Sequence, residues 1–204
     1  MKSSETLRYA SHFMLHFGDG RTSIGLAAAF AVYGFVGNDR RALRTASQTI
    51  EATIASGVLV QLLKRISGRE SPQMATRHQG EWRPFPRWST YNRHQPRYYA
   101  FPSGHMTTAI ATITVIAENY PEAEWIRPVG YVLAALMGAS LVNVGWHWYS
   151  DFPLAIALGH TFGMVAAHRS EWDGEDGSDP GSGGLHVIHG VTQDGVGVTL
   201  ALSF

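Results

Sequence analysis

The segment Phe101-Pro102-Ser103-Gly104-His105 places a hydroxyl, a glycine and an imidazole at what reads as the start of a helix. A helix N-terminus presents free N–H groups and the positive end of the macrodipole, a ready site for an anion such as phosphate. Gly104 lets backbone come close to that anion, and Ser103 adds a hydroxyl donor. His105 adds a proton donor that titrates near neutral pH. Taken alone, the same residues also read as a capped helix with a solvent-facing histidine.

A second group is His147-Trp148-Tyr149-Ser150-Asp151. A histidine and an aspartate four residues apart share a face if the turn is helical. The carboxylate can then accept the proton on one ring nitrogen and leave the other nitrogen free to attack. The alternative is an aspartate capping a helix beside an aromatic-flanked histidine. The third group is Lys64-Arg65-Ile66-Ser67-Gly68-Arg69-Glu70-Ser71-Pro72. Its basic groups could neutralise phosphate oxygens, or equally serve as partners of a helix C-terminal dipole.

Five apolar stretches, each read as a helix, must position these groups. They run over Ser23 to Gly37, from about Arg44 to Ile66, from Ser103 to about Asn119, from about Pro128 to Val144, and from about Asp151 to Arg169. Ser103 is a plausible N-cap, and prolines fall in the first turns of the last two helices. Between the second and third lies Gly68 to Ala100, rich in proline, arginine and aromatics and without a period. It reads as a long ordered loop, and loops of this length are often functional. Its aromatics and arginines could form a substrate lid or a lipid-headgroup rim, or staple the loop to the bundle. His160, in the fifth helix, reads as a core histidine.

Residues 1–172 are thus expected to form a helical domain. Residues 173–184 are an acidic, glycine-rich linker, and residues 185–204 a small β-hairpin. The hairpin rests on the alternation of Val196, Val198, Leu200, Leu202 and Phe204 after the Asp194-Gly195 turn signal. The fold class is all-α, a helical bundle with this hairpin at its C-terminus.

Composition narrows the function. Charged residues make up only 16% of the chain, against about 25% in soluble domains, so large apolar surfaces are buried or face a membrane. Net formal charge is zero, which disfavours a nucleic-acid partner. With no cysteine, disulfides, thiolate metal sites and cysteine nucleophiles are excluded. No metal-ligand cluster is visible. The first 21 residues are too polar for a secretory signal. The Pro128 to Trp146 run is long enough to span a bilayer, whereas the mean hydropathy of −0.08 is low for a multi-pass protein. Integral, peripheral and soluble forms all stay open, as does the oligomeric state.

The three groups, in this order, resemble the signature motifs of the type 2 phosphatidic acid phosphatase superfamily, which includes class A acid phosphatases and vanadium haloperoxidases. Lys64 and Pro72 match the first motif, Pro102 to His105 match the second completely, and Ser140, His147 and Asp151 match the third at the family's spacings. The resemblance spans roughly residues 20 to 170. It implies a phosphatase that needs no cofactor and no metal. Its substrate would be a phosphomonoester or a lipid phosphate or pyrophosphate, and its place a membrane or the periplasm.

In that mechanism His147 attacks phosphorus to form a phosphohistidine, Asp151 orients it, and His105 protonates the leaving oxygen. Lys64, Ser103 and Gly104 hold the phosphoryl oxygens. Two family arginines are replaced, by Ser71 and Leu141. Arg69 is the expected substitute on the phosphate, with Arg83 and Asn143 as further candidates. The rival readings are a catalytically silent binding or membrane protein, and a vanadate-dependent haloperoxidase.

Overall fold

The computed structural model describes residues 11–175 apart from residue 13, and residues 184–192 and 195–203. The helices bounded within these residues are α1 (Gly20–Gly37), α2 (Arg40–Ser67), α3 (Trp88–Arg93), α4 (Gly104–Asn119), α5 (Ile126–Asn143) and α6 (Phe152–Glu175). The chain divides into two compact units between His168 and Arg169. In the second unit, β1 (Gly184–Thr192) pairs antiparallel with β2 (Gly195–Ser203), with Gly184 opposite Ser203 and Thr192 opposite Gly195.

Capping sets the helix ends. Asp19 accepts the Arg21 N–H ahead of α1. Asp39 accepts the N–H groups of Arg41 and Ala42, so α2 starts at Arg40 rather than near Arg44. Helix α2 stops at Gly68, whose φ of 55° is the left-handed conformation that closes helices. Helix α5 begins at Ile126, two residues before Pro128, because proline fits the first turn.

Helix α4 is the central element, buried on nearly every face and packed against α2 and α5. Its apolar side joins Met106, Ile110 and Ile113 to Leu15, Met137, Leu141 and Phe152. Helix α6 meets it through Gly159 and Gly163. A Cβ at Gly159 would lie 2.5 Å from the Thr107 carbonyl oxygen, and one at Gly163 would lie 2.9 Å from that of Ala111. Only glycine allows two helix backbones this close, in a small-x-x-x-small arrangement.

Helix α2 reverses the usual amphipathic pattern. Its buried face carries Thr45, Gln48, Thr49, Ser56 and Lys64. Its exposed face is a stripe of Ile50, Ile54, Val58, Leu62 and Ile66, one residue per turn. Exposed Val32, Tyr33, Phe35 and Val36 on α1, and Val129, Val132 and Leu136 on α5, continue this outer apolar surface. His160 is exposed, not in the core as expected.

The long connection between α2 and α4 is ordered but not featureless. It contains α3 and two 3-10 turns, Pro72–Met74 and Gln95–Arg97. Isolated β-bridges pair Arg69 with both Trp82 and Tyr99. Glu70, fully buried, accepts the N–H groups of Thr76 and Glu81 and an Nη1 hydrogen bond from Arg83. Burial alone would raise the Glu70 carboxyl, but these donors hold it below the ordinary carboxylate range.

Candidate active site

The site forms where the N-terminus of α4, the C-terminal end of α2 and the turn before α6 meet. Ser103, completely buried, caps α4 by accepting the Met106 N–H at 3.4 Å. Its own N–H donates to the Asp151 carbonyl at 3.2 Å, so the second and third motifs are joined through backbone. The Ser103 hydroxyl proton stays available to another acceptor. A Cβ built on Gly104 would lie 3.8 Å from Lys64 Nζ, so the ammonium stands beside the free end of the helix.

Lys64 is only 5% exposed. Among the described residues it has no hydrogen-bond or ion-pair partner; the Tyr99 ring lies 4.8 Å away, and the Asp151 charge acts on it from beyond ion-pair distance. A buried charge normally has a partner. Here the positive end of a helix and an unpaired cation converge on one point, the arrangement an anion would complete.

Lys64, Gly104 and His105 line one cleft of about 490 Å³, together with Asp19, Tyr91, Tyr99 and Trp146. His147 and Asp151 are 2% and 0% exposed and lie outside the cleft lining. They remain close: the charge of Lys64 acts on His147, and that of His147 on His105.

His147 Nδ1 lies 2.7 Å from the Ala100 carbonyl oxygen and 3.3 Å from Asp151 Oδ2. Both are acceptors, so Nδ1 carries the proton and Nε2 holds the free lone pair. Burial pulls His147 below its ordinary 6.5, against the opposing pull of Asp151, and the Lys64 charge adds to the lowering. The imidazole is therefore neutral at neutral pH.

Asp151 is saturated with donors. Oδ2 accepts the Trp148 N–H at 2.7 Å, and Oδ1 accepts Arg69 Nη1 at 2.5 Å. The same Nη1 donates to Ser150 Oγ at 2.8 Å, and Nη2 to the Gln79 carbonyl at 3.3 Å. The guanidinium lies over the Trp82 ring at 4.8 Å and the Trp148 ring at 5.6 Å. Arg69, expected on the phosphate, is thus engaged with the aspartate in this structure, and only its Nε is buried without a partner.

The other expected substitutes are also engaged elsewhere. Arg83 pairs with Glu70 and Glu81, and Asn143 donates to Ser11 Oγ at 3.0 Å. Ser71 is fully buried, with its N–H and hydroxyl both on the Pro96 carbonyl. Leu141 belongs to the apolar cluster around α4. Neither position points a polar group at the cleft. Among the described residues no three His, Asp or Glu side chains converge as metal ligands would.

The family model of the PAP2 superfamily matches residues 45–174, more than half of the chain and all three motifs. The chain belongs to the PAP2 superfamily. No curated protein matches it. A solved structure with the same fold is a transmembrane PAP2-type phosphatidylglycerolphosphate phosphatase from Bacillus subtilis. It is 18% identical, with a TM-score of 0.60, over 84% of this chain and 80% of that one. This likeness places the PAP2 helices in a shared arrangement, and the site residues stand on the geometry above.

Sequence reading had missed the Ala100 carbonyl that holds His147, since a backbone acceptor leaves no signature. It also missed Tyr91, Tyr99 and Asp19 as cleft walls. The aromatic content of the long loop was the only available sign of the two tyrosines.

Proposed function

We propose that this protein is a membrane-embedded phosphatase that hydrolyses a lipid phosphate or another phosphomonoester through a phosphohistidine. The observation that carries this reading is the Lys64 ammonium, without a hydrogen-bond or ion-pair partner among the described residues, beside the free N–H groups of α4 and near enough for its charge to act on His147.

Lys64, the Ser103 hydroxyl and the Gly104 N–H bind the phosphoryl oxygens. His147 Nε2 donates its lone pair to phosphorus, and the bond from phosphorus to the leaving oxygen breaks. His105, which burial keeps neutral without an anion beside it, takes up a proton beside the bound phosphate dianion and gives it to that oxygen. Water then adds to phosphorus, the P–N bond breaks, and His105 takes up the water's proton. Asp151 stabilises the imidazolium as it forms. Arg69 acts through Asp151, as a positioning residue. Because His147 is buried, the substrate reaches Nε2 when the cleft opens toward it.

The bilayer placement has separate support. Among the described residues one helix, α5, is long and apolar enough to cross a membrane. Helix α2 escapes a hydropathy average because its polar groups turn inward while it presents isoleucine, valine and leucine outward. The 28 residues of α2 extend about 42 Å, more than the hydrocarbon core needs.

The test is phosphate release from soluble and lipid phosphate esters in a metal chelator, with wild type beside His147→Ala. Turnover by wild type alone, with an acid-labile phosphoryl label on the protein, supports the reading. A folded wild type that is inert across the panel overturns it in favour of a silent relative, in keeping with the buried Ser71 and Leu141.

A further inference from the structure

The connection between α2 and α4 has two faces. Tyr91 and Tyr99 look into the cleft. The other face is exposed and holds Trp82, Phe85 and Trp88, of which Phe85 is 75% and Trp88 66% exposed. Interleaved with them are Arg77, Arg87, Arg93 and Arg97, all exposed and none in an ion pair among the described residues. The segment's two acids do not offset this charge. Glu70 is buried, and Glu81 pairs with Arg83. The exposed side chains of this segment are therefore net cationic, with large aromatics among them.

Its height is fixed by the bundle. The Phe85 N–H donates to the Arg65 carbonyl at 3.1 Å, and the Arg65 guanidinium stacks on Trp88 at 3.4 Å. Arg65 adjoins Ile66, the last residue of the outer apolar stripe of α2. The aromatic-arginine collar thus begins where the apolar belt ends. That is the depth at which hydrocarbon gives way to headgroups, where tryptophan is favoured and basic side chains are drawn to anionic lipid.

We propose that this collar docks on the anionic headgroup layer of a bilayer, with Phe85 and Trp88 inserted and Arg77, Arg87, Arg93 and Arg97 on lipid phosphates. The inference shares with the proposed function only the placement of the helices in a bilayer. It holds the collar, and with it the tyrosine wall of the cleft, against the lipid surface.

The chain has no cysteine, so one introduced thiol reports one position. The full chain carrying Phe85→Cys, labelled with an environment-sensitive fluorophore, is placed in nanodiscs of phosphatidylcholine alone or with about one third phosphatidylglycerol. A Phe35→Cys probe, at the other end of α1, is the control. The expected result is a blue shift and stronger quenching by lipid-borne quencher at Phe85→Cys in the anionic discs. The response is lost when Arg77, Arg87, Arg93 and Arg97 are changed to Gln and lost in high salt, with helix content unchanged. The Phe35→Cys signal does not respond to lipid charge. Equal emission in both lipids overturns the proposal and leaves the collar to a protein partner. A shift that survives the four Gln substitutions overturns it too. Phosphate release plays no part in the readout, so the catalytic reading and this one fail separately.

Discussion

The two sides of the site are built on opposite plans. On one side the carboxylate is saturated with donors: Asp151 accepts from Arg69, Trp148 and His147, and Arg69, which keeps only its Nε unpartnered, lies between two tryptophans. On the other side Lys64 is buried without a partner beside an open helix end. The first side is complete without ligand and fixes a tautomer and an orientation. The second is complete only with an anion present. Preorganisation and binding are thus assigned to different walls, and substitutions should separate them.

The largest effect is expected at His147, where both plans meet. His147→Ala should lower turnover by about 10⁴-fold or more in single-turnover phosphate release. Arg69→Met should then mark the saturated side. It leaves a buried carboxylate without its cation, and unfolding measurements should read a loss of about 3–5 kcal/mol. Adding Asp151→Asn should recover much of that stability but not the activity. Lys64→Met should give the reverse signature, with kcat/KM reduced by about 10²–10³-fold and the Tm unchanged or raised. If Lys64→Met destabilises as much as Arg69→Met, the contrast between the two sides is broken.

The smallest effect concerns pH. The His147 pKa in the folded protein lies below 6.5, so as pH falls the unfolded chain takes up this proton first. Its contribution to stability is therefore present above 6.5 and is lost as pH falls from there toward the lower folded value. The acid limb of kcat/KM should fall in that same interval. A limb above 6.5 would mean that another group controls the reaction.

The catalytic motifs were legible because each couples residue type to a local backbone form, such as a serine that caps a helix or a histidine four residues from an aspartate. The helical order was legible for a similar reason, since apolar runs broken by proline and, at Ser103, opened by a cap leave little choice, although the Asp39 cap that starts α2 at Arg40 was not read. What stayed hidden depends on direction in space. Spacing put Arg69 near the phosphate, but spacing cannot tell a guanidinium that reaches a ligand from one that reaches Asp151. Helix α3 was not visible because six residues are too few to show a period. His160 was misplaced because a histidine in an apolar run reads the same whether that run faces a core or an apolar outside. The outer stripe of α2 was diluted in any average by the threonines and serines behind it.

The glycine contact between α4 and α6 has a mechanical consequence. With Gly159 and Gly163 pressed on the backbone of α4, the two helices form one beam with no side-chain cushion that could compress or slide. Ser103 and His105 stand at one end of that beam, with Asp151 tied to Ser103 through backbone, so their spacing is set by rigid backbone contacts. Under the proposed mechanism, opening of the cleft toward His147 then falls to the opposite wall, the end of α2 that carries Lys64 and the connection that carries Tyr99, and binding of the anion and exposure of Nε2 are expected to be a single event.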